Sequence, residues 1–292
     1  MEILGRRGGS LARMVSLIAL ISSALWGSAD FEGGRLSKKH RPIAVLGFSQ
    51  VVGLMFGISV IAITSGWHAP TLSTHGYFIS GIGAGLFGYL GLMCLYTSLA
   101  SGSMGVVSPI SAMSAVVPLG YSLLHGASLS LITSIGIVLA LTGIFCASGP
   151  EFSNGLPFRP LLLALCAACS FGAALTFISI GSKSNPLMTM VTMRAATFIV
   201  TIAIAIRARS IGGFERKEYS GLIFMGVADF SANLLLGIAC ARGSVPVAMV
   251  LGSMYPIATA VLAFKLLHER LYKIQYVGVV LAVSGVALIS AF

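Results

Sequence analysis

Two ionisable side chains of this sequence stand where ionisable side chains are costly: Arg194 and Asp229 each lie well inside a long, mostly apolar run. A carboxylate in such a setting can take up and release a proton or hold a cation; the alternative is a fixed ion pair with the arginine. Asn233 follows Asp229 by one helical turn and shares its face. Asp30 and Glu32 close the first apolar run, with Trp26 one turn before Asp30. Carboxylates at a cavity mouth attract cations, and an indole face can stack on a cationic or aromatic solute. The competing readings are a hydrated helix end beside Arg35 and Lys38, and interfacial anchoring by Trp26. Gln50, Tyr89 and Tyr255 complete the polar side chains that could meet a solute. Covalent chemistry has little support. His40, His68, His75, His125 and His268 all fall at the ends of apolar runs or between them, and the His125–Ser128 stretch HGAS offers no buried nucleophile with an oriented base. No metal-ligand spacing is present, and no cofactor is called for.

The elements that must position these residues follow from composition. Hydrophobic residues make up 57% of the 292 and charged residues 9%, with a mean hydropathy of +0.97. Between Pro42 and Pro150 there is no Asp, Glu, Lys or Arg, so no water-soluble fold could cover its surface from that stretch. A helix needs about 20 apolar residues to cross the hydrocarbon core of a bilayer. Dividing the apolar runs at Gly, Pro and polar clusters gives ten segments: 14–34, 42–64, 76–99, 104–124, 130–148, 160–180, 186–206, 220–241, 244–266 and 274–291. The runs are continuous rather than alternating, which excludes a β-barrel. The expected fold class is an all-α integral membrane protein. The first run leads directly into Trp26, Asp30 and Glu32, so it reads as a retained helix rather than a cleaved signal.

Other features are absorbed by that frame. The formal charge of +10 arises from Lys and Arg at segment ends, a topology signal rather than a nucleic-acid surface. Of the 18 Lys and Arg, Arg194 is internal, five flank one side (6, 7, 13, 183 and 242), and the other twelve flank the opposite side. Taken alone, that bias puts both termini outside. Cys94, Cys146, Cys166, Cys169 and Cys240 lie inside predicted helices and read as packing residues. GAGLFG, Gly83 to Gly88, matches a dinucleotide fingerprint, but a strand and water access are missing; close helix packing explains it better. No Gly-x-x-x-x-Gly-Lys-Ser/Thr loop exists, which disfavours an ATP-driven pump. Tyr255 and Pro256 fall mid-segment, where a proline is expected to bend the helix. Pro109 and Pro118 flank Met113 in the fourth segment.

The chain also repeats itself. LLHGASLSLITSIGIVLALTGI, Leu123 to Ile144, returns as LLHERLYKIQYVGVVLAVSGV, Leu266 to Val286, and LIALISSALWGSADF from Leu17 aligns with LLALCAACSFGAALT from Leu162. Five segments per copy is an odd number, so the second copy must enter the bilayer from the opposite side. Inverted repeats of this kind suit a transporter with its solute site between the copies. The expected repeats are residues 14–148 and 160–291. The copies differ at telling positions: Asp229 aligns with Gly88, Arg194 with Gln50, and Glu269 and Arg270 with Gly126 and Ala127. Counted from their shared side, Arg194 and Asp229 differ in depth by roughly 5 Å, within reach of an arginine side chain.

The run Arg242 to Ile289 resembles the second repeat of EamA-type transporters of the drug/metabolite transporter (DMT) superfamily. Its markers are Gly243 opening the ninth helix, Tyr255 and Pro256 within it, Glu269 and Arg270 at its end, then Gln275 and Gly278. ALWGSADFEGGRLSKK, Ala24 to Lys39, looks like the start of a bacterial subgroup of the same transporters. The resemblance implies ten transmembrane helices as two inverted five-helix repeats, a central cavity lined by the first four helices of each, and the fifth helices as scaffold. It implies cytoplasmic termini, against the Lys and Arg distribution, so the orientation stays open.

The expectation is a secondary transporter in the cell (plasma or inner) membrane that exports a small organic solute by alternating access, with proton coupling through Asp229. A passive channel or non-transporting scaffold is the alternative. Partners are the solute and the lipid bilayer, with no nucleic acid; a homodimer stays open. The balance of Arg194 against Asp229 weakly favours a cationic, zwitterionic or neutral solute. Gly243, Pro256 and Glu269 are expected to gate or to build structure.

Overall fold

The computed structural model describes residues 2–37, 39–70, 72–101, 110–111, 113–147, 158–208, 213–267 and 272–291. Among the described residues every regular element is helical. The helices are α1 (Glu2–Ser37), α2 (Pro42–Thr64), α3 (Tyr77–Ser101), α4 (Val116–Leu124), α5 (Leu131–Ala147), α6 (Phe158–Ser184), α7 (Pro186–Ala208), α8 (Tyr219–Arg242), α9 (Val245–Gly252), α10 (Tyr255–Leu267) and α11 (Lys273–Ala291). Six stretches are long and apolar enough to cross a membrane: Arg13–Ser37, Ile43–Thr64, Tyr77–Leu95, Leu161–Ser184, Pro186–Arg207 and Arg216–Arg242. The remaining apolar helices are shorter, at Met113–Leu124, Leu131–Ala147, Val245–Thr259 and Lys273–Ile289.

Local chemistry sets several boundaries. Pro42 starts α2, where a missing N–H costs nothing. The helix ends at Ser65, whose left-handed φ of 50° lets the Gly66 N–H close on Ile61 O at 3.1 Å. The expected bend at Pro256 is corrected: the ninth segment is broken instead. α9 stops at Gly252, Ser253 and Met254 form a turn, and α10 restarts at Tyr255. Pro256 is therefore the second residue of a new helix, a position whose N–H has no intrahelical acceptor. The fourth segment is interrupted in a related way, by the 3-10 turn Met113–Ala115 ahead of α4. Pro109 lies outside the described residues.

Packing between the two halves is reciprocal. Gly136 and Gly143 in α5 have the same seven-residue spacing as Gly278 and Gly285 in α11. A methyl group at Gly285 would meet Gly136 O at 2.6 Å, and one at Gly278 would meet Gly143 O at 2.7 Å. The order of the pairs runs up one helix and down the other, so α5 and α11 are antiparallel. Each copy presents the same patch to the other, as a two-fold axis produces. Elsewhere Gly27 of α1 lies against Tyr255 O and Thr259 N of α10, while its counterpart Gly172 of α6 lies against Ser114 O and Val117 ahead of and within α4. Gly81 and Gly85 seat α3 on α7, as Gly226 seats α8 on α2. With lipid as the competing solvent, such close backbone contact is what holds helices together.

The centre of the bundle is filled by Phe230, Leu236, Met190, Met249 and Leu251, all under 2% exposed. At one end, the turn Arg216–Glu218 is pinned to the α1–α2 corner. The buried Glu218 carboxylate accepts the Glu215 N–H at 2.9 Å and lies 2.7 Å from His40 Nε2. Phe214 packs edge-on against both His40 and Phe48.

Candidate functional site

Four helices converge on Asp229. It stands ten residues past the start of α8, deep in the bundle. Arg194 reaches it from α7: Nη2 donates to Asp229 Oδ2 at 2.5 Å. Trp26 of α1 donates its indole N–H to Oδ1 at 2.9 Å. Asn233 lies one turn along α8, and its amide donates to Oδ1 at 3.2 Å and to the Asp229 carbonyl at 2.8 Å. Three donors of different kinds therefore hold one carboxylate. Charge-assisted bonds of this sort are about twice as strong as neutral ones.

The arginine is fixed from its other side by α2. Gln50 Oε1 accepts from Arg194 Nη1, and the Thr197 hydroxyl donates to the same oxygen at 3.1 Å. Gly53 allows this approach, since a methyl there would lie 3.4 Å from Arg194 Nε and 3.3 Å from Gly226 O. Nε itself is buried, with no hydrogen-bond partner among the described residues. The pair is unequally buried: the Arg194 side chain is 5% exposed and that of Asp229 is 25% exposed.

Asp30 stands near this cluster. It is exposed, accepts no hydrogen bond among the described residues, and lies within electrostatic range of Asp229 and Tyr255. The Tyr255 ring meets Trp26 edge-to-face, centroids 6.0 Å apart. The broken ninth segment supplies that tyrosine from the first residue of α10. An open carboxylate, a held carboxylate and two aromatic rings thus border one region. Such a region can accept a cation, a proton or a hydrogen-bond donor.

The sequence candidates divide accordingly. Trp26, Gln50, Arg194, Asp229 and Asn233 form one bonded network, with Asp30 and Tyr255 beside it. Glu32 stands apart. It pairs with Arg35 at 2.5 Å and packs against Gly221, so it joins α1 to α8. Tyr89 is 5% exposed, with its hydroxyl near Thr201. Gly243 does not open the ninth helix but ends α8, where a methyl would strike Val15. Glu269 lies outside the described residues. Sequence reasoning missed Thr197 and Gly53; the three-residue step from Arg194 to Thr197, which puts both on one helix face, was the available signal.

The sequence model of the EamA-like transporter family matches this chain twice, over residues 13–149 and 158–291. The chain belongs to the EamA-like transporter family. It is thus a multi-pass membrane transporter of the DMT superfamily, built on the two-repeat architecture of that family. Among curated proteins none matches the chain. One solved crystal structure, 17% identical, superimposes with a TM-score of 0.76 over 94% of this chain and 95% of its own. That EamA-like fold is therefore shared well beyond recognisable sequence identity.

Proposed function

We propose that this EamA-like protein is a secondary transporter of the cell membrane that moves a small organic solute by alternating access, with Asp229 as the coupling carboxylate. The observation that carries the reading is the unequal burial of its ion pair. Arg194 is sealed in the bundle, whereas Asp229 is open enough to exchange a proton or a solute. The groups around Asp229 are Arg194 from α7, Trp26 and Asp30 from α1 and Asn233 from α8 itself, with Gln50 of α2 behind the arginine and Tyr255 of α10 beside Trp26. Protonation of Asp229 cancels the charge that holds Arg194 Nη2. The arginine then keeps Gln50 and has Nε and Nη2 free, so it can take a new acceptor. A two-partner arginine at the junction of the halves is a switch that both a proton and a solute can bias.

Reciprocal glycine contacts support rocking of one inverted repeat against the other as the access motion. The breaks in the fourth and ninth segments put irregular backbone inside the bundle, where it is tolerated only against protein or a water-filled cavity. Solutes that raise the melting temperature of the purified protein would be tested for flux in proteoliposomes with and without a pH gradient. Wild type is expected to show saturable, gradient-driven flux. Asp229→Asn/Arg194→Gln, which removes both charges together, is expected to lose the pH dependence. Unchanged, pH-coupled flux in that variant would overturn the assignment.

A further inference from the structure

The end of the bundle where α4, α6 and α8 finish and α9 begins holds a half-open cavity of about 630 Å3. That is the size of a small-molecule site. Its chemistry is the reverse of the region around Asp229. Among the described residues no carboxylate lines it, while Lys183, His75 and His125 do. Lys183 is exposed and forms no ion pair among the described residues. Tyr121, Ser128, Ser179 and Ser244 add hydroxyl groups to the wall, and Ile180, Val245 and Pro246 add apolar surface.

Two local structures border this space. Ser244 caps α9 without a side-chain bond to it, and the first internal bond of α9 runs from Ala248 N to Ser244 O. The Val245 and Val247 amides precede that bond and have no helical acceptor; the α9 start faces the cavity through Ser244, Val245 and Pro246. His125 is held in place by stacking on Tyr121, ring centroids 4.0 Å apart. Its Nδ1 lies 2.8 Å from Tyr121 O and must donate to that carbonyl. The proton is therefore fixed on Nδ1, and Nε2 can donate only when the ring is cationic.

We propose that this cavity is an anion-recognising vestibule whose ligand is a small organic molecule carrying one carboxylate. One permanent cation, an amide-bearing helix start and a ring of hydroxyls match a monoanion, and the apolar wall accommodates its carbon body. Inorganic phosphate, partly a dianion near neutral pH and without a carbon body for the apolar wall, fits this site less well. Lys183 makes the ion pair, and His125 in its cationic form adds a second donor. The inference concerns binding alone, so it stands or falls separately from Asp229 coupling.

The test is calorimetric titration of the full chain in lipid nanodiscs with sodium benzoate and sodium lactate, at constant ionic strength, with sodium phosphate and choline chloride as comparison salts. Wild type should bind a carboxylate saturably and more tightly at lower pH. Lys183→Met should weaken binding by at least about tenfold, and His125→Gln should reduce the pH dependence, leaving only what His75 in the same wall contributes. Lys217→Met, an exposed lysine at the opposite end, should leave binding unchanged. Lys183 is exposed, so a folded Lys183→Met protein is expected, and an unchanged melting temperature would verify it. No saturable carboxylate binding, equal binding by Lys183→Met, or preference for phosphate or choline would each overturn the proposal.

Discussion

The α5/α11 contact and the Asp229 site are both interfaces between the two repeats, yet they are made of opposite materials. α5 and α11 meet through glycines at matching positions of the two copies, backbone on backbone, with nothing to titrate. The Asp229 site is assembled where the copies disagree: Asp229 against Gly88, Arg194 against Gln50. Duplication alone gives the symmetric contact. Divergence at a few positions converts an equivalent surface into one that holds an ion pair with no counterpart in the other copy. The matched residues therefore explain why the halves stay together, and the mismatched ones explain what the proposed motion responds to.

The largest test of that contrast is the single variant Asp229→Asn, which leaves the Arg194 cation buried without its counter-charge. It should cost about 3–5 kcal/mol, read as a drop in thermal or denaturant stability. Asp229→Asn/Arg194→Gln should recover most of the loss, since no isolated charge remains. A single variant as stable as wild type would show that the pair is solvated, against the burial described. Next in size is Gly143→Val in α5. A side chain there meets the Ala282 backbone, with Cα 2.7 Å from the added methyl, so about 1–3 kcal/mol should be lost to overpacking. Its pH response should match wild type; an altered pH response would collapse the distinction between scaffold and site.

A smaller effect is expected at Trp26. Trp26→Phe keeps an aromatic ring against Tyr255 but deletes the N–H that meets Asp229, a loss of about 1.5 kcal/mol for a bond to a charged group. The same measurement should show weaker binding of stabilising solutes. The smallest effect is the control Gly120→Ala in α4. Nothing lies within 4 Å of the added methyl, so the change should be neutral or stabilising by up to about 1 kcal/mol.

Much of this arrangement is legible in the sequence because hydropathy is a property of single segments. α2 spans Pro42–Thr64, as its flanking Arg41 and Ser65 suggest, and most other ends fall within a few residues of their expected places. The Arg194–Asp229 contact was within reach because both sit on adjacent helices and depth can be counted along each. The bond from Trp26 to Asp229 was not, since its partners are 203 residues apart and which face of α1 meets α8 depends on tertiary packing. Pro256 misled for a related reason: a proline fixes φ and removes a donor, but whether it bends a helix or starts one is decided by the turn before it. The Glu218 lock combines a capping box with residues from the α1–α2 corner, so only half of it was written locally.

The most direct test of Asp229 as the coupling group is infrared difference spectroscopy of the protein in lipid, titrated over the pH range in which it stays folded. Coupling through Asp229 predicts that one component of the protonated-carboxyl absorption grows on acidification in wild type, shifts when a stabilising solute binds, and is lost in Asp229→Asn/Arg194→Gln, which keeps only the signals of the other carboxyls. An Asp229 carboxylate that stays ionised throughout, with the same spectra in both proteins, would contradict it.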